Sequence, residues 1–354
     1  MGFERVTPRP DLGTLEGYHS PQLDVAVRLN TNESPFAPPA SWQEQLADEV
    51  AAFDFHRYPD REATALRTAI AAVHGVGPEN VFAANGSNEV LQTLCLAYGG
   101  FGRTAVTFEP TYAMHGQISR TTGTTVVVGE RNADFGLCVA TVEAVLNSCH
   151  ADITFLCSPN NPTGDVVSED VLHYVIEHAP GLIVVDEAYG QFAPKSALSL
   201  VNEHRNLVVI RTFSKTWAMA GHRLGYCVGP SWMIDQLQLV ALPYHLDIVK
   251  QAAGRLALKF EGEMRQRVEQ LVAERNRLVG RLSQLDVRVY DSKANFVLFR
   301  PRLDANVVWQ RLVDRGVLVR NCSSWSRLEG CLRVTIGTSE ENDFFLDALA
   351  NVLE

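Results

Sequence analysis

The chain is expected to adopt an α/β fold, a large domain on a mainly parallel sheet flanked by helices, followed by a smaller α+β domain. Three observations predict it. From Trp42 to about Val240, short β-branched runs alternate with helical patterns. Those runs are almost continuously apolar, as strands covered on both faces are. From residue 250 a long amphipathic stretch leads into shorter strands and helices of a different rhythm.

The first 40 residues, rich in Pro, Asn, Ser and Gly, read as an irregular N-terminal arm. The expected strands of the large domain are VFAAN (81–85), TAVTF (104–108), TTVVVG (124–129), ITFLCS (153–158), LIVVDE (182–187), LVVIRTF (207–213) and GYCVG (225–229). Between them, SNEVLQTLCLAY (87–98) and SEDVLHYVIEHA (168–179) carry helical periodicity. Residues 250–285 repeat apolar positions at three- and four-residue steps and predict one long linking helix. VRVY, ANFVLF, a helical VVWQRLVDRG, LRVTIG and a closing helix from Glu340 complete the chain. The expected division is an arm over 1–40, a large domain over 41–245 and a small domain over 246–354.

Composition narrows the function classes. Acidic residues outnumber basic ones, 41 to 31, and no basic run interleaves with aromatics, so nucleic acid is not an expected partner. The seven cysteines are scattered without a CxxC pair, which speaks against disulfide scaffolding and zinc ribbons and for a reducing cytoplasm. No metal site is expected. No apolar run approaches the roughly 20 residues of a membrane span, and MGFERVTPRPDLGTL lacks the apolar core of a signal peptide.

The stretch RTFSKTWAMAGHRLGY (211–226) sets Lys215 between two hydroxyl residues and Arg223 eight positions later. Ligands of open parallel sheets bind at the carboxyl ends of the strands. At those ends stand Gly86-Ser87-Asn88-Glu89, Pro110-Thr111-Tyr112, SPNNPTG (158–164), Asp186-Glu187-Ala188-Tyr189 and Ser214-Lys215. Each alone is ordinary turn, cap or packing chemistry. Together they meet the demands of pyridoxal 5′-phosphate. An aldehyde needs an amine to hold it as a Schiff base, which Lys215 supplies. A phosphate needs a helix N-terminus, hydroxyls and a guanidinium, here Gly86, Ser87 and Asn88, Thr212 and Ser214, and Arg223. The pyridinium nitrogen needs a buried carboxylate, Asp186. The ring 3-oxygen needs donors, Asn161 and Tyr189, and the ring face needs an aromatic, Tyr112.

These motifs, with LNTNESP (29–35), RYP (57–59), SKANF (292–296), LVRN (318–321) and GCLRVTIGT (330–338), run in order along nearly the whole chain. The chain resembles the fold-type I pyridoxal-phosphate-dependent aminotransferases, and among them the histidinol-phosphate aminotransferase family. The resemblance implies amino transfer to 2-oxoglutarate in histidine biosynthesis, in a homodimer with shared active sites. It makes Lys215 the catalytic base, with Asp186 and Tyr189 as further catalytic residues. It sends Tyr58 to the cofactor phosphate of the partner subunit. It gives Arg333 the anionic end of the substrate and Arg320 a second clamp, with Tyr18, Asn32 and Asn295 lining the pocket. His115 and His222 stand where relatives more usually carry aromatic or apolar residues. The expectation sets His115 against substrate and His222 behind the phosphate site.

Alternative activities on the same cofactor site are aromatic amino acid transamination and, further off, decarboxylation of threonine phosphate. A cofactor-sensing regulatory module would need a basic helix-turn-helix ahead of residue 40, which the chain lacks. A dinucleotide-binding oxidoreductase would need GxGxxG where GSNE stands.

Overall fold

The computed structural model describes residues 6–354 apart from 8, 15–16 and 18–20. In chain order the elements are β1 (Val27–Leu29), α1 (Ala40–Ala51), α2 (Thr64–His74), β2 (Val81–Ala84), α3 (Ser87–Tyr98), β3 (Thr104–Glu109), α4 (Met114–Thr121) and β4 (Thr125–Glu130). There follow α5 (Val139–Ser148), β5 (Ile153–Cys157), α6 (Glu169–His178), β6 (Leu182–Asp186), β7 (Leu207–Thr212), β8 (Gly225–Val228), α7 (Ser231–Val240) and α8 (Ile248–Ala257). The chain ends with α9 (Glu261–Leu282), β9 (Val287–Val289), β10 (Phe296–Pro301), α10 (Ala305–Asp314), β11 (Val317–Asn321), β12 (Leu332–Thr335) and α11 (Ser339–Leu353).

A seven-stranded sheet runs β2-β8-β7-β6-β5-β3-β4. Only β8 is antiparallel to its neighbours; the pairings from β7 to β4 are all parallel. Strand alternation fills both faces. Ile183, Val185, Leu207 and Val209 enter one apolar core, while Leu182, Val184, Val208 and Ile210 enter the core on the opposite face. This explains why β5, β6 and β7 read as continuous apolar runs.

The second sheet runs β1-β11-β12-β10-β9 over a core that includes Phe296, Phe299, Val317, Val334 and Phe345. Two expectations are corrected here. The arm is not irregular throughout, because Val27–Leu29 pairs in parallel with Val317–Val319 and forms an edge of this sheet. Residues 250–285 are not one helix: a 3₁₀ turn, Leu258–Phe260, separates α8 from α9. The break marks a change of partner. Ala253 and Leu256 pack into the core of the large sheet, whereas Leu271, Leu278 and Leu282 pack into that of the small one. The closing helix starts at Ser339, capped by Thr338 and Glu341 in a reciprocal capping box.

Candidate active site

The parallel strands end level with one another. Cys157 pairs with Asp186 and Asp186 with Ile210, so the carboxyl ends of β5, β6 and β7 share one rim. On the other flank Gly225 pairs with both Ala84 and Thr212, which brings the start of α3 beside the end of β7. A cleft of about 810 Å³ opens over that rim. It reaches from Ser87, Asn88 and Tyr112 across Asp186 and Lys215 to Arg320 and Arg333 on β11 and β12.

Lys215 projects into this cleft and donates from Nζ to the carbonyl of Thr31 at 3.0 Å. Burial, with Arg333 and Arg223 nearby, lowers its amine from 10.5 to about 7. Near neutral pH a large share of it is therefore the free amine, the form that attacks a carbonyl. The buried Asp186 accepts from the Ala188 amide at 3.0 Å. Its other oxygen lies 3.0 Å from His115 Nε2. His115 is itself buried, stacked on Phe155 with centroids 5.0 Å apart and edge-on to Tyr112 at 5.5 Å. His115 thus stands behind Asp186 and orients it, instead of facing substrate. That correction follows from strand alternation, which turns Asp186 toward the face where α4 packs.

The phosphate candidates gather at the start of α3. The Thr212 and Ser214 hydroxyls lie 3.0 Å apart, and Arg223 Nη1 donates to Ser214 Oγ at 3.3 Å. Gly86 has φ of +81°, and a Cβ there would come within 2.9 Å of Arg223 Nη2. A Cβ on Gly225 would come within 2.4 Å of the Ser87 nitrogen. The backbone is kept bare where Arg223 and the helix N-terminus close on one small volume, a cradle of the size and charge a phosphate requires. Tyr112 donates to Asn88 Oδ1 at 3.0 Å, which fixes its ring over the floor of the cleft.

Tyr189 is buried, its hydroxyl pushed up to about 12 by burial and accepting from Asn32 Nδ2 at 2.9 Å. Asn161 accepts from Arg333 through Oδ1, leaving its amide N–H groups as the donors for a ring oxygen. Arg333 also donates to the carbonyl of Asn30 at 2.9 Å. Its Nε has no hydrogen-bond partner among the described residues. Arg320 sits directly opposite Arg333 across the β11–β12 ladder and lies 5.1 Å from the Trp325 ring. Two guanidiniums buried side by side offer donors that can grip the oxygens of one anion.

Asn32 lines the cleft, with Thr335 bonded to its backbone and side chain. Asn295 does not line it: fully buried, it donates to the Asn32 carbonyl at 3.2 Å and supports the arm from behind. Tyr18 lies outside the described residues. His222 packs edge-on to Trp42 at 5.4 Å. Tyr58 does not line its own cleft; it is exposed and stacks on Tyr244 with centroids 4.5 Å apart. Sequence reasoning missed Thr31, Glu33, Gln117 and Trp325 as lining residues. Their signal is tertiary, apart from Thr31 and Glu33, which lie inside LNTNESP.

Residues 24–349 match the family model for aminotransferase class I and II. The chain belongs to this family. Among relatives of this aminotransferase, the histidinol-phosphate aminotransferase of Mycobacterium marinum is 47% identical over 97% of the chain and 92% of the relative. That of Mycolicibacterium smegmatis is 46% identical over 97% and 93%. The fold is matched by the histidinol-phosphate aminotransferase of Sinorhizobium meliloti, solved in complex with pyridoxal-5′-phosphate. It has a TM-score of 0.88 and 24% identity over 99% of this chain and 98% of that one. No described helix is long and apolar enough to cross a membrane, and no described cluster of His, Cys, Asp or Glu could hold a metal.

Proposed function

We propose that this chain is a pyridoxal-phosphate-dependent histidinol-phosphate:2-oxoglutarate aminotransferase, acting in the cytoplasm as a homodimer. The observation that carries the reading is a buried, near-neutral lysine amine facing two buried arginines across one cleft. When bound, the cofactor supplies an aldehyde that captures the substrate amine and a ring that withdraws electrons from its α-carbon. Lys215 holds that aldehyde at rest. Once displaced, its amine takes the proton from the substrate Cα. Asp186, oriented by His115 and the Ala188 N–H, keeps a carboxylate at the pyridine nitrogen. Asn161 and Tyr189 donate to the ring oxygen and Tyr112 covers the ring face. The start of α3 at Gly86, Ser87 and Asn88, with Thr212, Ser214 and Arg223, receives the phosphate, and Tyr58 of the opposite copy joins it. Arg333 and Arg320 bind the anionic end of either substrate, phosphate or carboxylate, through bidentate donors. The likeness to the mycobacterial relatives supports histidinol phosphate over the aromatic amino acids and threonine phosphate.

The test is turnover by the purified holoenzyme with 2-oxoglutarate, following glutamate release. Histidinol phosphate is expected to give glutamate at micromolar to millimolar concentration, the usual range of KM. Equal turnover of phenylalanine would replace the reading with an aromatic aminotransferase. Carbon dioxide release from threonine phosphate would replace it with a decarboxylase.

A further inference from the structure

The charged residues lining the cleft, among those described, are Glu33, Asp186, Lys215, Arg223, Arg320 and Arg333. The proposed function uses five of them. Asp186 is committed to the ring nitrogen, Lys215 to proton transfer, Arg223 to the cofactor phosphate, and Arg320 and Arg333 to the anionic end of the substrate. Glu33 has no part in that chemistry. Yet it follows Asn32, which holds Tyr189, and its carboxylate accepts from Thr31 Oγ1 at 2.9 Å. The Thr31 carbonyl in turn accepts from Lys215 Nζ. The carboxylate is near enough to oppose, through its charge, the lowering of the Lys215 amine. A negative group is thus held at the edge of a cleft where, of the tasks assigned above, only that of Asp186 calls for a negative charge.

We infer that Glu33 is a specificity-determining residue, accepting a hydrogen bond from a ring N–H of the substrate's imidazole. The inference rests on the proposed function and deepens it. An amine with a phosphate at one end and an imidazole at the other presents an anion to the arginines and an N–H to another group lining the same cleft. Glutamate, the product of the other half-reaction, presents a second carboxylate in place of the imidazole. A carboxylate at Glu33 attracts the first and repels the second. This sign difference separates a recognition role from a structural one.

The experiment compares wild type, Glu33→Gln and Glu44→Gln holoenzymes in both half-reactions. A charged hydrogen bond at a partly exposed site predicts a rise of about five- to tenfold in the KM for histidinol phosphate in Glu33→Gln. The KM for glutamate should stay the same or fall. Glu44→Gln removes an exposed charge on α1 that does not line the cleft and should leave both within about twofold of wild type, as a surface substitution does. A second readout needs no turnover. Calorimetry on Lys215→Ala holoenzyme should show weaker histidinol phosphate binding when Glu33→Gln is added, with O-phosphoethanolamine, which lacks the ring, unaffected. Equal losses for histidinol phosphate and glutamate, or a Glu44→Gln variant that reproduces Glu33→Gln, would overturn the inference. So would an unchanged KM in Glu33→Gln. Wild-type enzyme that fails to transaminate histidinol phosphate at all would instead overturn the proposed function.

Discussion

Burial puts the Lys215 amine near 7, and this has a consequence that holds even without the cofactor. The folded value lies below the unfolded one of 10.5. Between the two the unfolded chain carries a proton that the folded chain does not, so apoprotein stability should rise with pH across that window. Below about pH 7 the full penalty for burying a charge applies. Lys215→Met should flatten the dependence in denaturant titrations at a series of pH values. Amine-selective acylation, resolved residue by residue, should give Lys215 a midpoint near 7; a midpoint near 10 would refute the assignment. At this scale the sequence was informative wherever a residue type is dictated by chemistry. An amine, a carboxylate and a guanidinium at strand ends can be recognised from spacing alone. His115 could not be, because its role comes from stacking on Phe155 and from the face toward which Asp186 turns. Asn295 misled for the same reason, since a buried amide that bonds a backbone carbonyl looks identical in sequence to one that lines a pocket.

Among the elements, strands and helices with strong periodicity were legible nearly to the residue, α3 among them, because apolar alternation reports burial directly. The edge strand β1 was not. Three residues carry too little pattern, and their pairing partner lies about 290 positions away. The break between α8 and α9 was hidden because both halves are amphipathic; only the core each half faces differs. The division we propose near residue 245 falls just before α8. One tight element contact at the site is between the start of α3 and β8, at Gly225. A methyl group there would sit 2.4 Å from the Ser87 nitrogen and 2.6 Å from the Gly86 carbonyl carbon, both backbone atoms that cannot swing aside. Gly225→Ala should cost about 1–3 kcal/mol in folding stability, as overpacking does. It should also weaken cofactor affinity by at least about tenfold, because each 1.4 kcal/mol of lost binding is tenfold and the shifted helix start is the phosphate cradle. Gly262→Ala in α9, where a Cβ meets nothing within 4 Å, is the control. Fluorescence titration of the apoproteins with pyridoxal phosphate would decide, and equal affinities for the two variants would remove the cradle from the argument.

On the scale of the whole molecule, one surface does not look like the outside of a monomer. Tyr58 is 80% exposed, Leu239 76%, Leu242 74% and Phe55 63%. Tyr58 and Tyr244 stack in an open groove of about 820 Å³ that also includes Gly221, and Gly221 lines the active cleft as well. The cleft therefore continues into an exposed aromatic and aliphatic surface, the composition of a protein–protein interface rather than of a solvated face. A second copy of the chain docked there would bury these side chains and bring its Tyr58 to the edge of the first copy's phosphate cradle. Two substitutions separate assembly from binding. Leu242→Asp should place a charge in the buried surface and shift sedimentation from dimer to monomer, with loss of both cofactor retention and activity. Tyr58→Phe keeps the ring and the stack on Tyr244 but removes one hydroxyl. It should remain a dimer and bind pyridoxal phosphate at least about tenfold more weakly, the worth of one hydrogen bond to a charged group. A wild-type chain that sediments as a monomer at full activity would sink the shared site, and with it the role of Tyr58. A Tyr58→Phe variant with unchanged affinity would leave the dimer standing and return Tyr58 to packing alone.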